Sequence, residues 1–122
     1  MTNTRNDNMQ FDLEERTAQF GETVLRFAKT VTRSPVNTPL ILQLVRAATS
    51  VGANYCEEND GVSKKDFRNQ IGLFRKESKE AKHWLRMIAS ANENMKEQAR
   101  PLWQEAKELN LIFSKIFRSC SS

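Results

Sequence analysis

Apolar residues recur along this chain at the three- and four-residue steps of a helix in four separate stretches. In the first, Phe20, Val24, Phe27, Ala28 and Val31 share a face, and Asp12 with Glu15 three residues later reads as the capping box that opens it. Pro35 and Pro39 stop that helix, because proline lacks an amide donor and disfavours helix at the residue before it. Thr38 followed by Pro39 starts the second, since proline is favoured at the first helical position. Its apolar face is Ile41, Leu44, Val45, Ala48, Val51 and Tyr55, and Arg46, Ser50, Asn54 and Glu57 follow one another along the other side. The spacing carries this helix to about Glu57–Asp60, with Gly61 as a left-handed stop. Ser63 then caps a third helix, with Asp66 at the capping-box position, running to about Ser90. Phe67, Ile71, Phe74, Ser78, Ala81, Leu85 and Ile88 form its inner face. After a break at ANEN, a fourth helix starts near Lys96 or at Pro101 and runs to Arg118. Its stripe of Leu102, Ala106, Leu109, Phe113 and Ile116 is widened by Trp103, Ile112 and Phe117, a face broad enough for contacts on more than one side.

Four amphipathic helices joined by short connections predict an all-α, antiparallel up-down four-helix bundle. The chain has 122 residues, enough for one core and too few for two. The bundle is expected over 12–118, with disordered tails at 1–11 and 119–122. Only four glycines and three prolines occur, which argues against a turn-rich sandwich. The run AATSVGAN in the second helix is rich in small side chains. Two readings of it stay open: close packing of two helices, or contact with another subunit or a ligand.

The charge is concentrated. Residues 63–88 hold eight bases and three acids, +5, against +4 for the whole chain. Arg68, Arg75, Lys79, Lys82 and Arg86 fall within roughly 60° of arc on the third helix at 3.6 residues per turn, and Lys64 and Lys65 precede them. Arg75/Lys79 and Lys82/Arg86 are like-charge i,i+4 pairs, each weakening a helix by about 0.2–0.5 kcal/mol. A stripe built at that cost is either well solvated or offered to something anionic. Asp66, Glu77 and Glu80 lie on the opposite flank, which also carries Leu73 and Trp84. An apolar patch with a polar rim marks a protein contact.

Catalytic and cofactor chemistry finds no foothold. His83 is the single histidine and is expected to face solvent, and Glu80 and His83 form one Glu-x-x-His pair where a di-metal bundle needs two. No glycine-rich phosphate loop is present. Cys56 and Cys120 lack metal or redox spacing and read as free thiols of a reducing compartment, with Cys120 in a frayed tail. Asn54, Glu57 and Glu58 could form an acid–base cluster, and Glu57 is the expected partner of Arg46 across an interface or bundle seam. No apolar run nears the ~20 residues of a membrane span, and the amino terminus lacks a signal-peptide core. The expected setting is cytoplasmic, with no catalytic residues, cofactor or metal.

The stretch from Leu44 to Ile88 carries a recognisable pattern. Arg46–Asn54 (RAATSVGAN), the acidic pair Glu57-Glu58, Asp66-Phe67, and Lys76–Ala81 leading to Trp84-Leu85-Arg86 resemble the small four helix bundle protein family. Its members include proteins encoded within intervening sequences of bacterial large-subunit ribosomal RNA genes, and the accessory variability proteins (Avd) of diversity-generating retroelements are relatives. The resemblance implies a four-helix up-down protomer in a ring-like homopentamer, without catalysis. On the retroelement branch it also implies binding to nucleic acid and to a reverse transcriptase. The leading expectation is an oligomer that binds RNA or DNA through Lys64, Lys65, Arg68, Arg75, Lys79, Lys82 and Arg86. Arg46, Asn54, Glu57, Leu73 and Trp84 are the expected subunit contacts. The alternative is a protein-interaction scaffold whose basic stripe meets acids of a subunit or partner, with Glu57, Glu58 and Asp60 as candidates.

Overall fold

The computed structural model describes residues 4–57 and 61–120. Four helices follow one another: α1 (Thr4–Thr30), α2 (Asn37–Ser50), α3 (Lys64–Ala91) and α4 (Lys96–Ser119), with one 3-10 turn at Glu93–Met95 before α4. No strand occurs among the described residues. Each helix packs on its neighbours in the chain, and α1 also meets α4, whereas among the described residues the diagonal pairs α1/α3 and α2/α4 stay apart. That cyclic order is the up-down bundle the periodicity predicts.

The inner faces read from the sequence supply most of the core, with Ile41, Val45, Tyr55 and Ile116 half-buried at its edge. Phe20, Val24, Phe27 and Ala28 of α1 and Val31 just after it are buried, as are all seven residues of the α3 stripe and Leu102, Ala106, Leu109 and Phe113 of α4. Phe74 and Phe113 meet at its centre, ring centroids 5.5 Å apart and tilted by 58°. Fully burying a side chain of that size contributes about 1.5–3 kcal/mol. Ser63 caps α3 as expected: its Oγ accepts the Asp66 amide at 3.0 Å. The start of α1 differs. Its helical backbone already runs from Thr4, so positions 12 and 15 lie inside the helix and not at its start. Of the expected tails, residues 1–3, 121 and 122 lie outside the described residues, and Cys120 is a half-buried cap of α4 packed against the core, not part of a frayed end.

The second helix requires a larger correction. It ends at Ser50, and Val51 is extended at φ −67°, ψ 120°. Gly52 (φ +81°) and Asn54 (φ +59°) then take the left-handed conformation. A helix of 14 residues is about 21 Å long, against about 42 Å for the 28 of α3. An irregular segment completes that side of the bundle. Its fit explains the early stop, because Gly52 lies directly against Thr17 of α1. A Cβ at 52 would fall 2.6 Å from the Thr17 Cβ and closer still to its hydroxyl. Thr17 is fixed there by donating to the carbonyls of Leu13 (2.8 Å) and Glu14 (3.0 Å). Beyond the turn, Tyr55 stacks on Phe74 at 5.8 Å. The Gln70 side-chain amide clamps Cys56, accepting from its N–H and donating to its carbonyl, both at 2.9 Å. The small residues around Gly52 therefore serve close packing. Asn54 and Glu57 do not share a helical face with Arg46, and Glu58 and Asp60 lie outside the described residues.

At the bundle's other end, two turns are tied together. Asn37 and Asn92 exchange side-chain amide hydrogen bonds at 2.9 Å in both directions. Asn37 also donates to Thr32 O and Asn92 to Ile88 O. Asn37 is buried, so this pairing satisfies an amide that would otherwise be costly to desolvate.

Candidate functional site

The cations of α3 lie along its seam with α4, and aromatic rings of α4 lie among them. The Arg68 guanidinium sits 4.0 Å from the Phe117 ring centroid and that of Arg75 5.0 Å. Phe117 fits there because Gly72 has no side chain: a Cβ would meet the ring at 3.0 Å. Two turns further along α3, Lys82 Nζ is 5.6 Å from the Trp103 ring, and Lys107 Nζ from α4 is 5.5 Å away. Cations at such distances are attracted by the ring quadrupole. Asn110 sutures the seam between these clusters, donating to Arg75 O at 2.8 Å. Lys64, Lys65, Arg75, Lys79 and Arg86 are exposed, while Arg68 and Lys82 are half-buried. Arg68 Nε is buried with no hydrogen-bond partner, so this residue is partly committed to its ring.

The seam is richer than the stripe on α3 alone. Lys96, Arg100, Trp103 and Lys107 recur at i, i+4, i+7 and i+11 on the edge of α4 that faces it. The spacing was available in the sequence. What was missing is which edge of α4 meets α3. Toward the α3–α4 turn the seam opens into a groove of about 380 Å³. Leu85, Ala89 and Ala99 form its apolar floor, Trp103 and Gln104 line it, and the exposed cations Arg86, Lys96 and Arg100 ring it. Neither an aspartate nor a glutamate lines it.

Acids of both helices are paired away from this seam. Arg16 of α1 holds Glu105 through two parallel bonds (2.7 and 2.8 Å) and Glu108 through a third at 2.9 Å. The Glu105 hydrogen bond is the main reason Arg16 holds its proton more tightly than an ordinary guanidinium. On the opposite flank Arg46 of α2 reaches Glu80 at 2.7 Å and Glu77 at 3.5 Å. These are the partners of Arg46, where the sequence suggested Glu57. The Arg46 proton is likewise held more tightly, first through the bond to Glu80.

The expected subunit contacts come from three elements: α2, the irregular segment after it, and α3. Leu73 is exposed and Trp84 half-buried, at i and i+11 on the flank of α3 that carries Glu80, and Arg46 joins that flank through its ion pair. His83 is exposed and meets Trp84 edge-on at 4.8 Å. Asn54 and Glu57 lie beyond the end of α2, in the irregular segment. Among the described residues no group of His, Cys, Asp or Glu is placed to hold a metal ion, and no helix is long and apolar enough to cross a membrane. Cys56 and Cys120 are half-buried free thiols.

The model of the 23S rRNA-intervening sequence protein family matches residues 9–115. The chain belongs to that family. No curated protein matches it. Among solved structures, the intervening-sequence fold described here is similar to a protein of unknown function from the S23 ribosomal protein family of Bacteroides thetaiotaomicron. The TM-score is 0.71 at 24% identity, covering 86% of this chain and 97% of the other. At that identity the likeness concerns the fold.

Proposed function

We propose that this member of the intervening-sequence family is a non-enzymatic, cytoplasmic nucleic-acid-binding protein that uses the α3–α4 seam. The observation that carries the reading is the convergence of cations from two helices on one aromatic-lined seam, while acids of the same helices are paired elsewhere. Such a surface matches a phosphate backbone, whose contacts position a protein without reading sequence. Arg75, Lys79 and Arg86 are the principal phosphate contacts, with Lys64, Lys65 and Lys82 in support and Arg68 through the outer edge of its guanidinium.

The working unit of this proposal is a homo-oligomer, a pentamer by the family resemblance, with Leu73 and Trp84 as subunit contacts. Five copies of a chain of charge +4 carry 5 × 4 = +20. In an Avd-like setting a reverse transcriptase is the partner, and the neighbouring genes decide that setting.

The test is the pair Arg75→Glu and Lys79→Glu, read by binding as a function of salt and by light scattering. Both residues are exposed, so the bundle stays folded. Two lost contacts lower the salt slope by about 1.4 for single strands or 1.8 for duplex. If the oligomer falls apart instead, the stripe pairs with acids across subunits and the scaffold reading stands. An intact oligomer with unchanged binding and slope refutes both.

A further inference from the structure

The groove between Leu85, Ala89 and Trp103 has a composition that backbone binding alone does not require. Phosphate contacts need cations that reach outward. Here three cations ring an apolar floor and an indole, with one side-chain amide beside them. At about 380 Å³ it lies at the small end of the ligand-site range of about 300–1,000 Å³. Phe117, the other aromatic of the seam, offers no comparable site. Arg68 lies 4.0 Å over its ring, and the ring packs against Gly72. The lysine tips near Trp103 stand further off, at 5.5 and 5.6 Å, on long side chains that can move.

We propose that this groove takes one unpaired base of a single-stranded nucleic acid, stacked on Trp103, with the flanking phosphates on Arg86, Lys96 and Arg100. The inference rests on the nucleic-acid reading of the seam and narrows it. A base inside a duplex has its faces covered by its neighbours and its pairing edge by its partner, so it cannot enter a groove. An unpaired base exposes a face to the indole and an edge to Gln104, whose amide can both donate and accept. Every base has a π-face, so the site tolerates sequence. A surface that merely tracked phosphates would treat single strand, duplex and any other polyanion according to their charge.

The experiment compares three probes: an RNA of about ten unpaired bases, the same strand annealed to its complement, and inorganic polyphosphate. Each is titrated against the full-length protein and the variants Ala89→Leu, Trp103→Phe and Trp103→Ala. Ala89→Leu keeps every charge and the indole but fills the groove, so it stays informative if Trp103→Ala fails to fold. We expect Ala89→Leu and Trp103→Ala to weaken single-strand binding by about 5- to 150-fold, the cost of one lost base stack. Trp103→Phe recovers part of that loss, and binding of duplex and polyphosphate is unchanged in all three variants. Equal binding of strand and duplex, with no effect of Ala89→Leu, overturns the base site and leaves the phosphate-binding reading intact. A free nucleoside monophosphate binding as tightly as the strand overturns it in favour of a nucleotide site. Failure of all probes to bind overturns both readings.

Discussion

Replacing Gly52 with alanine probes the feature that ends α2. Two separate costs arise. Alanine must adopt φ +81°, a left-handed conformation that costs an L-residue roughly 1–2 kcal/mol. Its methyl would also fall 2.6 Å from the Thr17 Cβ. Thr17 cannot swing aside without breaking its bonds to Leu13 O and Glu14 O, so the turn or α1 must shift. Overpacking of this kind costs about 1–3 kcal/mol. The sum, about 2–5 kcal/mol, is a large part of the 5–15 kcal/mol that holds a domain together. Urea denaturation reads it, with each variant at one protein concentration, because any self-association would make apparent stability concentration-dependent. The informative comparison is the same substitution beside Thr17→Gly, which removes the obstructing side chain and leaves only the backbone cost. Gly52→Ala should then cost about 1–2 kcal/mol relative to Thr17→Gly. Equal costs in the two backgrounds, or a loss under about 0.5 kcal/mol in the native one, the range of an ordinary surface substitution, would refute the steric argument.

Tyr55 is the chain's single tyrosine, so its phenol can be titrated alone by absorbance. Burial raises its pKa above the ordinary 10, with nearby Glu14, Glu57 and Cys120 adding to the rise. A raised folded-state pKa contributes stability that is intact below the unfolded value and lost as pH rises through the folded one. Thermal melts from neutral to strongly alkaline pH should show a loss beginning near pH 10 that Tyr55→Phe reduces, and equal alkaline loss in both proteins would contradict this. Asn37→Ala should destabilise by about 1–3 kcal/mol, because Asn92 and the Thr32 carbonyl lose their partner. Denaturation midpoints check it, and Asn37→Ala costing no more than an exposed substitution such as Thr38→Ala would mean the amide pair contributes nothing. The loss from Arg16→Ala should be only about 0.2–1 kcal/mol, since the pair is a third exposed, and it should shrink with added salt.

Local signals and distant ones fared differently. Phe67 to Ile88 could be assigned to one face from spacing alone, and Ser63 could be read as a cap, because cap and donor lie three residues apart. The end of α2 could not. The stretch to Tyr55 keeps helical spacing, and what stops the helix is Thr17, 35 positions earlier in the chain. The same holds for the seam. The five cations of α3 share a helix and were visible as a stripe. Their counterparts Lys96, Arg100 and Lys107 become part of one surface only once α4 is rotated against α3. That rotation is fixed by buried Leu102, Ala106, Leu109 and Phe113. Arg16 and Arg46 select acids 89 and 34 residues away, choices that depend on helix order and not on any local pattern.

The two ion-pair clusters also bear on how copies of this chain can stand side by side. Arg16 neutralises much of one shoulder of the α3–α4 ridge and Arg46 much of the other. Each cluster sets one arginine against two glutamates and so keeps one negative charge: a positive crest lies between two weakly negative slopes. Were a second copy to approach slope to slope, the arginine of each cluster would offset half of the acidic charge it met, and crests held more than about 8 Å apart would be largely screened from one another at physiological salt. The crests would then run as parallel rails around the outside of an assembly, each with its own field. Reversing a crest residue would therefore alter the positive field, whereas reversing Arg16 or Arg46 would leave three acids together on one slope.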